Sequence, residues 1–156
     1  MSLAQVALDI AIISTGLFTG LLLTMLWIFQ PMLNQLSATE YAEWMQRFLK
    51  VARRSLLNIA LMFTSLLAPI PALFSFYRAA NWLAFGLVLI GVVIFFIGMF
   101  LVSRFFNEPV YDEILGLNVQ EPSQNWQTLR QKWYVSNLIR VCASGTAFLL
   151  FLVTLS

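Results

Sequence analysis

Four long apolar runs dominate this sequence and restrict what the chain can fold into. Each run has about 22 to 25 residues, which as an α-helix extend about 33 to 38 Å, enough to cross a bilayer. Backbone groups inside lipid must be hydrogen-bonded within their own segment, so runs of this length are helical. The sequence predicts an all-α integral membrane protein, a four-helix antiparallel bundle forming one domain, residues 1–156. The predicted helices cover residues 6–29, 55–77, 82–106 and 126–155.

The composition supports a membrane protein and argues against a metal centre. Hydrophobic residues make up 60% of the chain and charged residues only 10%, whereas soluble domains carry about 25% charged residues. The chain has no histidine, and its one cysteine is Cys142. Histidine and clustered cysteines are the usual ligands of transition metals. We therefore expect no metal site.

The basic residues predict the orientation of the bundle. Lysine and arginine accumulate in cytoplasmic loops, and here they lie in the connections after helices one and three. The two long connections are therefore predicted to be cytoplasmic and both termini outside, and the basic pI of 9.0 needs no nucleic-acid partner. The basic residues on the predicted cytoplasmic side are Arg47, Lys50, Arg53, Arg54, Arg104, Arg130, Lys132 and Arg140, against Arg78 on the other side.

The first long connection, "SATEYAEWMQRFLKVARR", contains its own helical pattern. Ser37 or Thr39 can cap a helix, and Glu40 favours its first turn. Apolar residues then recur at helical spacing. The pattern predicts an amphipathic helix over residues 39–50 at the membrane interface, with its tyrosine and tryptophan at headgroup level.

Small residues and prolines mark predicted contacts and bends. Small side chains allow helices to approach closely, either within one chain or between two copies, and we favour contacts within the chain. Pro69 and Pro71 should bend the outer end of helix two. The small residues at helical spacing are Gly16, Gly20, Gly91, Gly98, Ala143 and Ala147.

A polar stripe, defined as Trp126, Arg130, Trp133, Asn137 and Arg140, runs into the fourth helix. Spacings of four, three, four and three residues place these side chains on one helix face. Arg140 lies just inside the membrane boundary. It is explained either by a polar pocket or by a side chain that extends to the interface. Only the pocket explains why the neighbouring polar residues share its face.

Polar residues at the ends of the other helices could complete this pocket. Asn107 and Glu108 follow helix three directly, and Glu108 is the expected partner of Arg130 or Arg140, unless it is simply solvated. Gln30 at the end of helix one could supply an amide or be an ordinary boundary residue. Asn58, about one turn into helix two, lies at the same level.

Three motifs resemble the anthrone oxygenase-like family of small four-helix membrane proteins. They are "GLLLTMLWIFQPML", "FFNEPVYDEI" and "NWQTLRQKWYVSNLIR", and the similarity covers most of the chain. The sequence departs from the family pattern at Tyr111, where an asparagine is frequent, and at Asn137, where many members have histidine. The matching positions are Pro31, Asn107, Pro109, Trp126, Arg130, Trp133, Asn137 and Arg140.

The resemblance implies an oxygenase that converts an anthrone-like hydrophobic aromatic without a metal, flavin or other cofactor. Under this hypothesis Arg140, Arg130 and Asn137 would stabilise an oxyanion, and Glu108 would act as the base. The substrate rings would stack on tryptophan. The residues predicted to bind the substrate are Trp126, Trp133, Asn107, Gln30 and Asn58.

Two further hypotheses remain open at this point. The chain could be a non-catalytic binder of a lipid, quinone or other amphiphile, with Arg140 and Arg130 holding an anionic head. It could instead be a structural subunit or assembly factor of a larger membrane complex, or form a homo-oligomer, with the stripe serving as internal packing. An enzyme needs a cavity with a base near Arg140, a binder needs only the cavity, and a structural subunit needs neither.

Overall fold

A computed structural model describes residues 3–155 and confirms the all-α fold. Four helical spans are long and apolar enough to cross a membrane, and no strand occurs between Leu3 and Leu155. Span 1 is Leu3–Leu33, span 2 is Leu56–Arg78, span 3 is Trp82–Leu115 and span 4 is Trp126–Val153. Spans 1 and 2 are joined by a further helix, Ala38–Ala52.

The spans divide into shorter elements, three of which are π-helical turns. Span 4 is one unbroken helix from Trp126, as the sequence predicts. The elements in chain order are α1 Leu3–Thr24, π1 Met25–Phe29, α2 Gln30–Leu33, α3 Ala38–Ala52, α4 Leu56–Leu67, α5 Ile70–Arg78, α6 Trp82–Phe96, π2 Ile97–Leu101, π3 Ser103–Asn107, α7 Glu108–Leu115 and α8 Trp126–Val153.

Spans 1 and 3 continue past the predicted ends at residues 29 and 106, because each passes through a proline on a π-helical turn. Pro31 follows π1, and Pro109 follows π3. Proline lacks an N–H and clashes with the carbonyl four residues earlier. The wider turn instead bonds five residues back, from Gln30 N to Met25 O and from Glu108 N to Ser103 O. Span 2, by contrast, is interrupted at Pro69, between α4 and α5.

Helix α3 caps one end of the bundle. Its apolar face, formed by Tyr41, Ala42, Met45 and Leu49, is buried against α7 and α8. Tyr41 has no exposed surface, because its ring packs inside the protein. Its ring contacts Trp126 at 5.5 Å between centroids. Burial raises the pKa of the Tyr41 phenol, and the nearby Arg130 only partly offsets this.

Ser37 begins α3 through a capping box with Glu40. The Ser37 side chain accepts from the Glu40 backbone N–H, and the Glu40 carboxylate accepts from Ser37 N at 2.8 Å. Thr39 does not cap the helix. The hydrogen bonds from the Ser37 hydroxyl and backbone N–H hold the pKa of Glu40 below its ordinary value. Stability supplied by this carboxylate is present above its unfolded pKa and is lost as pH falls through the folded pKa.

Replacing Ser37 by alanine should lower the free energy of unfolding by about 1 kcal/mol, because one N-terminal N–H of α3 loses its acceptor. Thermal unfolding of both proteins in one detergent, at neutral and at acidic pH, measures the loss. Thr39→Ala is the control and should leave the midpoint unchanged. A difference between Ser37→Ala and wild type that does not shrink on acidification would contradict the coupling of the cap to Glu40.

Small residues bring span 3 against span 4. A Cβ at Gly98 would overlap the Ala143 methyl group, and a Cβ at Gly91 would meet the Phe151 ring. Gly16 likewise faces Phe148, whereas Gly20 has open space beside it. Three of the four glycines therefore serve contacts within one chain, as predicted from the sequence.

Candidate functional site

A cavity of about 360 Å³ lies where the core of the bundle meets the capping helix α3. We call it the central cavity. Its floor is apolar and includes Phe18, Leu22 and Met62. Its other end is polar, and all four spans contribute to its walls. The polar lining residues are Arg53, Ser55, Asn58, Ser103, Asn107, Glu108, Tyr111, Trp133, Asn137 and Arg140.

Three members of the polar stripe form a hydrogen-bonded series along the wall of the central cavity. The Asn137 amide donates from Nδ2 to the Trp133 carbonyl at 2.8 Å. Its oxygen accepts from Arg140 Nη1 at 3.1 Å. Both ends of the amide are therefore fixed, and its oxygen holds the guanidinium towards the cavity.

Arg140 forms no ion pair in the part of the chain that the structure describes. Among residues 3–155, no carboxylate lies within 4 Å of its guanidinium. The Tyr111 side chain lies near the guanidinium and also lines the central cavity. Because arginine can only donate, it cannot occupy the Tyr111 O–H proton, which stays available to another acceptor. The wall thus presents a cation and a hydroxyl donor side by side.

Glu108 lines the central cavity, but its partner is Arg53 and not Arg130 or Arg140. Arg53 Nη2 donates to Glu108 Oε2 at 2.5 Å and to Asp112 Oδ1 at 2.8 Å. Its guanidinium also lies 5.5 Å from the centre of the Tyr111 ring. Partial burial by itself lowers the pKa of the Arg53 guanidinium, but the Asp112 and Glu108 carboxylates outweigh it and raise that pKa.

Several buried polar atoms of the cavity wall lack a hydrogen-bond partner within the described part of the chain. Both side-chain polar atoms of Asn107 do so, although this residue is only 1% exposed. The same holds for Trp133 Nε1, Asn58 Oδ1 and Arg140 Nε. Leaving a buried donor or acceptor unpaired costs about 1 to 3 kcal/mol, so these atoms favour a polar occupant.

Three predicted site residues do not line the central cavity. Arg130 donates to the Leu33 carbonyl at 3.1 Å and lies 4.9 Å above the ring of Trp126. Both side chains lie under α3, where they hold the start of span 4 to the end of span 1. The Gln30 amide donates to Asn34 Oδ1 at 2.9 Å.

The structure brings the other six predicted residues together: Asn58, Asn107, Glu108, Trp133, Asn137 and Arg140. Four polar lining residues were not predicted as site residues: Arg53, Ser55, Ser103 and Tyr111. In the sequence, Tyr111 stands out only as a departure from the family pattern. Arg53 stands out only as one of the basic residues that predict the orientation of the bundle. One feature of the sequence could have identified Arg53. It closely follows the predicted interfacial helix and precedes span 2, so it lies at the membrane boundary where the other polar residues were expected.

The arrangement combines an apolar floor, a cluster of donors and one carboxylate. Such a cavity suits a hydrophobic molecule that carries an oxygen able to bear negative charge. Its volume lies within the usual range for small-molecule sites, about 300 to 1,000 Å³.

The fold and the cavity define a class: a membrane-type four-helix bundle with a cationic, donor-rich cavity at one end. Residues 44–150 match the family model described as anthrone oxygenase. The match covers well over half of the chain, so the chain belongs to this family, and the prediction from its motifs is confirmed. All polar residues that line the central cavity fall inside the matched region. No curated protein and no solved structure matches the chain.

Proposed function

We propose that the central cavity binds a flat, membrane-soluble aromatic with an acidic carbon next to a carbonyl, such as an anthrone, and promotes its oxidation by dioxygen. One observation carries this proposal: Arg140 has no ion-pair partner among residues 3–155 and lies among unpartnered donors above an apolar floor. The family match supports the same chemistry. The apolar floor would hold the rings, and the Trp133 ring would contact their faces.

In the first step, a base removes a proton from the ring carbon opposite the anthrone carbonyl. Glu108 is the carboxylate that lines the cavity. Its Oε2 accepts from Arg53, and its Oε1 accepts no hydrogen bond from the described residues. The negative charge that develops on the former carbonyl oxygen would be stabilised by Arg140 and by the Tyr111 hydroxyl. Asn137 acts indirectly, by holding Arg140 in place.

In the second step, the anion gives electrons to dioxygen and a hydroperoxide forms at the deprotonated carbon, with a proton returned by Glu108. Loss of the second proton from that carbon and cleavage of the O–O bond then give a new carbonyl and water. One anthrone and one dioxygen thus yield one quinone and one water. The residues bind, orient and transfer protons, and dioxygen is the oxidant.

A second candidate function is a non-catalytic carrier or sensor of the same class of compound. The ion pair between Glu108 and Arg53, at 2.5 Å, favours this carrier function. Glu108 is the only carboxylate that lines the cavity among the described residues, and it is already engaged by the Arg53 guanidinium. A carrier would use Arg140 in the same manner but would leave the bound compound unchanged.

The proposal is tested by measuring oxygen uptake by purified protein in detergent micelles that contain anthrone. Micelles without protein serve as the blank. Wild type should accelerate uptake, and Glu108→Gln should slow it by about 100-fold or more, the usual range for loss of a general base. Binding of the quinone product should change much less.

Asp112→Asn is the matched control, since Asp112 contacts the same arginine but does not line the central cavity. It should retain most of the activity. Equal losses in both variants would contradict a role for Glu108 as base. Retention of the compound by wild type without any faster oxygen uptake would favour the carrier.

A further inference from the structure

A second cavity, of about 610 Å³, lies on the outside of the bundle between spans 3 and 4. We call it the outer groove. One wall consists of Phe106 and Val110, and the other is one face of α8 from Gln127 to Ile139. The part of α8 that lines the central cavity belongs to the polar stripe, which lies on a different face of this helix. The outer groove therefore shares no residue with the central cavity.

The outer groove changes character along its length. The first two turns of α8 contribute Gln127, Thr128, Gln131 and Lys132, and the next two contribute Val135 and Ile139 with the buried Ser136. From Val135 to Val153 the helix extends about 27 Å, close to the roughly 30 Å of a hydrocarbon layer. Lys132 would then lie about one turn outside that layer, at the level of lipid phosphates.

Four polar side chains at one end of the outer groove are free to bind a ligand. Across residues 3–155, none of Gln127, Thr128, Gln131 and Lys132 makes a side-chain hydrogen bond or an ion pair. No acidic side chain is among the lining residues of the outer groove. The surface of the outer groove is mostly apolar and is bounded by the exposed Phe106, Val135 and Ile139, while Lys132 supplies a positive charge at its other end.

We propose that the outer groove is a binding site for one anionic phospholipid. Its phosphate would contact Lys132 and Gln131, and one acyl chain would lie between Phe106 and Ile139. The charge of the groove selects an anionic headgroup over a zwitterionic one, because a choline or ethanolamine ammonium would find a lysine and no carboxylate. This proposal does not depend on the function of the central cavity.

Native mass spectrometry of the full chain released from detergent tests the site, with phosphatidylglycerol and phosphatidylcholine of identical acyl chains as the probes. Wild type should retain one phosphatidylglycerol severalfold more strongly than phosphatidylcholine. Lys132→Gln should weaken the retention of phosphatidylglycerol by roughly fivefold, the usual contribution of one cation to an anionic lipid. Lys50→Gln, an exposed cation of α3 that lines neither cavity, should leave retention unchanged.

Val135→Trp changes no charge. Its indole should fill the apolar end of the outer groove and abolish retention of both lipids. Equal retention of the two lipids by wild type, or unchanged phosphatidylglycerol retention in Lys132→Gln, would overturn the proposal. A second copy of the chain, bound in place of lipid and released by Val135→Trp, would also overturn it, because the groove would then be an interface between copies.

Discussion

Replacing Arg140 by alanine should weaken binding of a phenolic quinone such as 1,8-dihydroxyanthraquinone by roughly 10- to 150-fold. This corresponds to about 1.5 to 3 kcal/mol for one hydrogen bond to a charged group. Arg140 is the cation of the central cavity that lacks a carboxylate partner in the described chain. Equilibrium dialysis of the dye against protein in micelles measures the affinity. Mass spectrometry of compounds extracted from freshly purified protein shows whether a natural ligand is lost as well.

Arg130→Ala is the matched control, since it removes the same side chain from the same face of α8. Arg130 binds the Leu33 carbonyl and the Trp126 ring under α3, outside the central cavity. This variant should keep its affinity for the dye and lose thermal stability. Equal affinities for Arg140→Ala and wild type would refute the proposed ligand site and would return Arg140 to a role at the membrane boundary.

Replacing Gly98 by alanine should lower the free energy of unfolding by about 1 to 3 kcal/mol, the usual cost of overpacking a tight contact. The new methyl group would overlap that of Ala143, and neither can move by changing a rotamer. Spans 3 and 4 would have to separate. The midpoint of thermal unfolding, followed by circular dichroism in one detergent, measures the loss.

Two variants make the Gly98 result specific. Gly20→Ala introduces the same methyl group where nothing lies within 4 Å and should have little effect. Combining Gly98→Ala with Ala143→Gly removes the overlap from the other side and should restore most of the lost stability, as expected for two residues in contact. Failure of the double variant to recover would show that Gly98 acts through its backbone rather than through this contact.

Much of the fold follows from apolar pattern alone. Four apolar runs of membrane length give four spans, and the spacing of apolar residues over 39–50 predicts α3 close to its observed bounds, Ala38–Ala52. The ends of spans 1 and 3 could not be predicted. A proline after an apolar run usually marks a helix end, and here a π-helical turn before Pro31 or Pro109 lets the helix continue.

The candidate site was predictable only where it follows one helix. Trp133, Asn137 and Arg140 share a face of α8 by spacing, and they line one cavity. Trp126 and Arg130 share that face too, but α3 covers it at their level. Helical periodicity gives no information about such a covering element. Arg53 was missed for the same reason, because its ion pairs connect α3 to α7 across 55 and 59 residues of sequence.

The π-helical turns also carry a consequence for insertions and deletions. A π turn holds about one residue more than an α turn, and one residue corresponds to about 100° of helix rotation. Deleting a single residue within Ser103–Asn107 would leave an α turn that covers the same rotation, so Glu108 and Tyr111 would keep facing Arg140. Deleting a residue from the regular helix α6 would instead turn everything after it by about 100° and move both side chains away from Arg140, although every functional side chain would still be present. Homologous chains should therefore tolerate a one-residue difference in π3 better than one in α6.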